Sequence, residues 1–225
     1  MRVDLVTLFP EMFTGVFGSS IIGRAVERGI LDVHVTNFRD YSTDKHHHVD
    51  DAPFGGGAGM VLKPEPLYAA VRDILTQTDI SAQKRCIILF DPAGTVFTQE
   101  KAKDLASYEQ LILICGHYEG FDARVYDLAD LLLSVGDFVL TGGEIPAMLV
   151  VDATARMLSG VLGDAASAPT DSFLMGFWVI PSIQGRAYSR GRLYRRCCFP
   201  GIMQRLHAGG VSSRSLQLCA AVRSY

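Results

Sequence analysis

Short apolar runs of strand length alternate along the chain with longer stretches in which apolar residues recur at helical spacing. Residues 2–9 predict a strand, and Pro10 then opens a helix-like segment. Residues 20–28 predict a helix and 33–38 a second strand, followed by a loop rich in His, Asp and Gly from 41 to 59. Pro64 opens a helix to about Leu75, at a helical position where the missing N–H of proline costs nothing. Residues 85–90 predict a buried strand, and 98–106 a helix with Thr98 as N-cap. Residues 111–115 are continuously apolar, as a strand inside a parallel sheet requires. A helix over 121–128, a short strand over 131–134 and a long apolar helix over 143–158 complete the series. Strands alternating with helices define an α/β fold with a parallel sheet flanked by helices. The small, polar stretch 163–170 reads as a linker, so residues 1–163 form one domain.

Composition narrows the class. With 48% hydrophobic and 20% charged residues, the chain has the makeup of a globular protein with a real core. No apolar run approaches the roughly 20 residues of a membrane span, and Asp4 interrupts any signal-peptide core. Five cysteines (Cys86, Cys115, Cys197, Cys198 and Cys219) form no C-x-x-C pair and no regular spacing, which predicts a reducing compartment, the cytoplasm. Cys115 reads as a small buried hydrophobe. The net charge of −3 is unevenly spread. Eight of the 21 basic residues, all arginine, fall in 174–225, which holds no Lys, Asp or Glu. The first 173 residues carry the other 13 against all 24 acidic groups, a net of −11.

Three turns follow the carboxyl ends of predicted strands, where open α/β sheets bind ligands. They are Leu-Phe-Asp-Pro-Ala-Gly at 89–94, Cys-Gly-His-Tyr-Glu-Gly-Phe-Asp at 115–122 and Ser-Val-Gly-Asp-Phe-Val-Leu-Thr-Gly-Gly-Glu at 134–144. Glycine there lets backbone approach a ligand closely; any one such loop is more often an ordinary turn, a reading that weakens when three occur together. None is G-x-G-x-x-G after the first strand or ends in G-K-[ST], so dinucleotide binding and NTP hydrolysis have no support. His46, His47 and His48 form a metal-like tract, but neighbouring side chains in an extended loop point to opposite sides. Beside Asp44, Lys45, Asp50 and Asp51 they read as a solvated loop that could face RNA. From residues alone, Asp171 reads as well as a helix N-cap as a catalytic group, and Arg156 as a helix-end cation.

The motifs G-H-Y-E-G-F-D-x-R-V and S-V-G-D-F-V-L-T-G-G-E-x-P-A, with D-S-F near 170, resemble the bacterial tRNA (guanine-N1)-methyltransferases of the TrmD family. L-F-P-E-M-F, N-F-R-D-Y and D-D-x-P-F-G-G-G-A-G-M-V-L match in the same order, so the resemblance covers about residues 1–173. It implies the SPOUT class: an α/β fold with a deep trefoil knot, working as a homodimer and binding S-adenosylmethionine. By resemblance the cofactor lies against Leu89, Pro92, Gly116, Tyr118, Glu119 and Gly120. Val135, Gly136, Asp137, Phe138, Val139 and Leu140 hold adenine and ribose, with Gly142, Gly143 and Pro146 nearby. The family methylates N1 of guanosine 37 in tRNA, just 3′ of the anticodon. That nitrogen carries a proton, so a carboxylate must remove it and a cation near O6 can stabilise the developing charge. The resemblance gives these roles to Asp171 and Arg156. It also implies magnesium, for which no ligands are assigned. Competing readings are a SPOUT dimer that binds S-adenosylmethionine and RNA without catalysis, and a SPOUT enzyme that methylates ribose.

After Phe173 the resemblance stops, where the family continues G-L-L-x-x-P-Q-Y-T-R-P and later V-P-E-V-L-L-S-G-N-H. Codons allowed from the third base of Gly176 onward, read one frame away, spell L-L-G-H-P-Q-Y-T-R-P. Those for residues 194–203 allow P-E-V-L-L-S-G-N-H. The sequence therefore predicts a shifted reading frame near residues 174–176. Residues 164–176 are expected to be the linker carrying Asp171, and 177–225 an Arg-rich tail in place of the C-terminal helical domain. The tail shows no hydrophobic period that could build such a domain, so weak or absent tRNA methylation is expected of this polypeptide.

Overall fold

The computed structural model describes residues 1–56 and 59–162. The elements in chain order are β1 (Arg2–Thr7), a 3-10 turn (Pro10–Phe13), α1 (Thr14–Phe17), α2 (Ser20–Glu27) and β2 (Asp32–Asn37). A second 3-10 turn (Phe38–Tyr41), β3 (Asp50–Asp51), β4 (Val61–Leu62) and α3 (Pro64–Thr76) follow. After a third 3-10 turn (Ala82–Lys84) come β5 (Arg85–Val96), α4 (Gln99–Leu105) and β6 (Gln110–Ile114). A last 3-10 turn (Ala123–Leu128), β7 (Leu131–Ser134) and α5 (Glu144–Ala155) close the described chain.

Five strands form one sheet in the order β2-β1-β6-β5-β7, every pair parallel. β6 lies at its centre, and all five of its residues are buried. Its side chains alternate between faces, as strand geometry demands. Leu111 and Leu113 enter a core with Phe13, Ile22 and Val150, while Ile112 and Ile114 enter a second core with Leu67, Val71 and Ile74. Helices α1, α2 and α5 thus cover one face and α3 the other. Edge strand β2 buries none of its residues fully. Asp4, buried in β1, is held by the Arg2 guanidinium at 2.7 Å and the Gln110 amide at 2.7 Å.

The observed elements follow the predicted order, with four differences, the first a short antiparallel pair of β3 and β4 where no strand was expected. β5 does not stop at Phe90 but resumes and runs to Val96, with a register shift between Phe90 and Thr95, both of which face Leu133. Pro92 has no N–H to give a ladder, so 91–94 bulge out, as strands often do beside functional sites. Gly94 closes the bulge against backbone: a Cβ there would lie 2.6 Å from Leu133 N. Residues 121–128 form a 3-10 turn from Ala123, with Asp122 capping the Arg124 N–H at 2.9 Å, rather than a longer helix. α5 ends at Ala155, with Arg156 as C-cap, short of residue 158. Thr98 caps α4 as predicted, its hydroxyl oxygen accepting the Lys101 N–H. The linker 164–176 with Asp171 and the Arg-rich tail 177–225 lie outside the described residues.

Candidate active site

The three glycine-bearing turns converge at the carboxyl ends of β5, β6 and β7 around a cleft of about 290 Å³. That volume lies at the lower edge of the roughly 300–1,000 Å³ usual for small-molecule sites.

The β5 bulge contributes Phe90, Asp91 and Pro92. Asp91 shapes it by accepting the Ala93 N–H at 2.7 Å and the phenol of Tyr126, which also lines the cleft. Burial, reinforced by that carboxylate, pushes the Tyr126 hydroxyl up to about 12.

The β6 turn supplies Gly116, His117, Tyr118, Glu119 and Gly120. A Cβ on Gly116 would meet the Phe121 ring at 2.6 Å, so only glycine fits. Tyr118 has φ +60°, a conformation that costs a bulky residue about 1–3 kcal/mol unless its surroundings impose it. Here they do: the Glu119 N–H donates to Met60 O at 3.0 Å, and Gly120 O accepts from the Leu62 N–H at 2.9 Å.

The β7 turn forms the opposite wall. Val135, Gly136, Phe138, Val139 and Leu140 line it, and Phe138 and Val139 are 57% and 95% exposed. Apolar surface left open beside a cleft is what a ligand with a flat aromatic ring would cover. Gly142, Gly143 and Pro146 form the floor, where the Gly143 N–H donates to Gly116 O at 2.9 Å and joins the second and third turns.

Two expected cofactor residues lie elsewhere. Leu89 is wholly buried in the second core and supports the cleft from behind, because its position on β5 points into the sheet's interior. Asp137 sits exposed outside the lining, at the tip of the β7 turn. Arg156 is not brought to the cleft either. Ten residues separate it from Pro146, about 15 Å along a helix. Cys115 is buried in the core, and burial drives its thiol well above the ordinary range. The histidine tract wraps Asp44, whose side chain accepts from the backbone N–H of His46 and His48 and pairs with His48 Nδ1 at 2.7 Å. Chiefly through the His48 N–H, this lowers the Asp44 carboxyl to about 2.

Residue patterns missed the polar links that hold the turns. Glu144, in the first turn of α5 and 1% exposed, accepts the Thr7 hydroxyl at 2.6 Å and pairs with His117 Nε2 at 2.8 Å. A carboxyl group opening a helix whose next seven residues, 145–151, are all apolar was the available signal, since a buried polar group requires partners.

A parallel α/β sheet with a glycine-built cleft at the carboxyl ends of its strands places the chain among the α/β proteins of that architecture. Residues 1–211 match the family described as tRNA (Guanine-1)-methyltransferase TrmD. A tRNA (guanine-N(1)-)-methyltransferase of Levilactobacillus brevis is 51% identical over 194 residues, 85% of this chain and 76% of that protein. One from Bacillus cereus is 50% identical over 192 residues, covering 85% and 78%. The crystal structure of tRNA (m1G37) methyltransferase from Aquifex aeolicus superposes with a TM-score of 0.66 at 36% identity, covering 73% of this chain and 72% of that one. The chain belongs to the TrmD family of tRNA (guanine-1)-methyltransferases and has its α/β fold.

Proposed function

We propose that this protein transfers a methyl group from S-adenosylmethionine to N1 of guanosine 37 in tRNA. The observation that carries this reading is the convergence of the three turns on one cleft in a chain of this family. The residues fit the donor. Gly116, Gly142 and Gly143 stand where a Cβ would strike a neighbour, leaving backbone at the cleft surface. Pro92, Tyr118, Glu119 and Gly120 would hold the donor from one side, and Val135, Gly136, Phe138, Val139 and Leu140 from the other. When bound, the donor supplies an electrophilic methyl on a sulfonium, so activation falls on the guanine.

Asp171 accepts the N1 proton, and Arg156 faces O6, where negative charge develops. A homodimer reconciles that role with the position of Arg156 at the far end of α5 from its own cleft, because a second copy can present it. Ile145 and Leu149, exposed on the otherwise apolar α5, give such a pair its contact surface. We extend the reading to the trefoil knot and to the cytoplasm, where tRNA and reduced thiols coexist. Among the described residues no three His, Cys, Asp or Glu side chains converge as a metal site. No described helix is long and apolar enough to cross a membrane.

The Arg-rich tail lacks the apolar period of a helical domain, so we propose that turnover by this polypeptide is weak. The nucleotide sequence over codons 173–177 and the mass of the natural protein test the shifted frame. The function is tested by Asp171→Ala in a chain with an in-frame family C-terminus, with the methylated nucleotide mapped. Loss of a general base predicts a turnover drop of about 10²–10⁴ with donor binding unchanged. Unchanged turnover would remove the base assignment, and methyl found on ribose would remove the N1 chemistry.

A further inference from the structure

We propose that Glu144 is a positioning residue that holds the floor of the cleft in its donor-receiving shape; this rests on the cleft being the S-adenosylmethionine site. Its two carboxylate oxygens tie together segments far apart in sequence. One accepts the hydroxyl of Thr7 at the carboxyl end of β1, and the other pairs with the His117 ring in the β6 turn. Thr7 is itself anchored, its hydroxyl oxygen accepting the Phe9 N–H at 2.9 Å. The His117 ring meets the Phe9 ring edge-on at 4.7 Å. The contact between Glu144 Oε2 and His117 Nε2 at 2.8 Å fixes the orientation of the imidazole ring beneath the third turn.

The link to the cleft is steric. A Cβ on Gly142 would lie 2.4 Å from His117 Cε1 and 2.6 Å from Glu144 Oε2. The backbone of the third turn therefore rests directly on the Glu144–His117 pair. Gly143, one residue on, ties that turn to Gly116. Without Glu144 the His117 ring and Thr7 hydroxyl lose a common partner, and the support beneath Gly142 is free to rotate. Glu144 touches no donor in this scheme and acts through His117 and Gly142.

The test measures donor affinity in the full chain. S-adenosylmethionine and S-adenosylhomocysteine are titrated calorimetrically into wild type, Glu144→Ala, Glu144→Gln and Thr7→Val, at a temperature where melting curves show each fully folded. Amide hydrogen exchange over 116–120 and 140–143 is recorded without donor. Loss of both hydrogen bonds of a buried side chain predicts roughly ten- to hundredfold weaker binding for Glu144→Ala. Glu144→Gln keeps the shape and the bond to His117, and recovers affinity to within about threefold. Thr7→Val keeps the His117 contact and weakens binding by about three- to tenfold, carrying the test if Glu144→Ala does not fold. Exchange rises in both turns in the order Gln, Val, Ala. A merely structural role would lower the melting temperature and leave the dissociation constant of the folded variants alone, overturning the proposal. Equal loss in Glu144→Gln and Glu144→Ala also overturns it. Wild type that binds neither compound overturns the cleft reading itself, a result distinct from normal wild-type binding with unaffected variants.

Discussion

Gly143→Ala separates the steric demand of the cleft floor from any conformational one. Gly143 sits at φ −82°, which every residue adopts, so the added methyl brings no backbone strain of its own. Its Cβ would lie 2.7 Å from Cys115 Cα and 2.9 Å from Gly116 N. Both neighbours are backbone of the central strand's exit and cannot swing aside as a side chain would. Restoring a contact of about 3.4 Å requires α5 and the end of β6 to part by about 0.7 Å. The same movement stretches the 2.9 Å bond from the Gly143 N–H to Gly116 O beyond useful hydrogen-bond length. Overpacking of a tight site costs about 1–3 kcal/mol and the lost bond about 1 kcal/mol, together about 2–4 kcal/mol. Urea unfolding reads this as a lower midpoint, with Gly15→Ala as control. Gly15 lies in α1 with nothing within 4 Å of an added Cβ, so alanine there should raise stability by about 0.5–1 kcal/mol. Donor titration should show binding at least about tenfold weaker in Gly143→Ala, since displacements near 1 Å carry such penalties. Stability within about 0.5 kcal/mol of wild type, with normal binding, would refute the packing argument.

Thr98→Ala removes the N-cap of α4 and should cost about 1 kcal/mol in urea unfolding, with no change in donor binding, because α4 lies away from the cleft. Tyr126 and Tyr41 are both raised to about 12, Tyr126 first by burial and Tyr41 first by its hydrogen bond to Asp73. Each folded phenol holds its proton above the unfolded value of 10.0, so its contribution is complete below pH 10 and is lost as pH rises through about 12. Spectrophotometric titration should show a late-ionising class of tyrosines that loses one member in Tyr126→Phe; an unchanged class would refute the late ionisation of Tyr126.

The order of strands and helices was legible in the sequence because burial writes itself as periodicity. The centre of β6 is apolar on both faces, α3 starts at Pro64, and Thr98 stands where a cap belongs. The three turns were legible too, since close backbone approach demands glycine and glycine is visible in a sequence. Side-chain destinations were not. Leu89 and Pro92 sit in one short motif, yet the bulge after Phe90 turns one into the core and the other to the cleft. The union of Thr7, His117 and Glu144 spans 137 positions and depends on a parallel sheet placing the ends of β1 and β6 beside the start of α5. Local sequence sets which residues want burial or a turn. Only the folded sheet, which brings distant strand ends within hydrogen-bond reach, decides which of them meet.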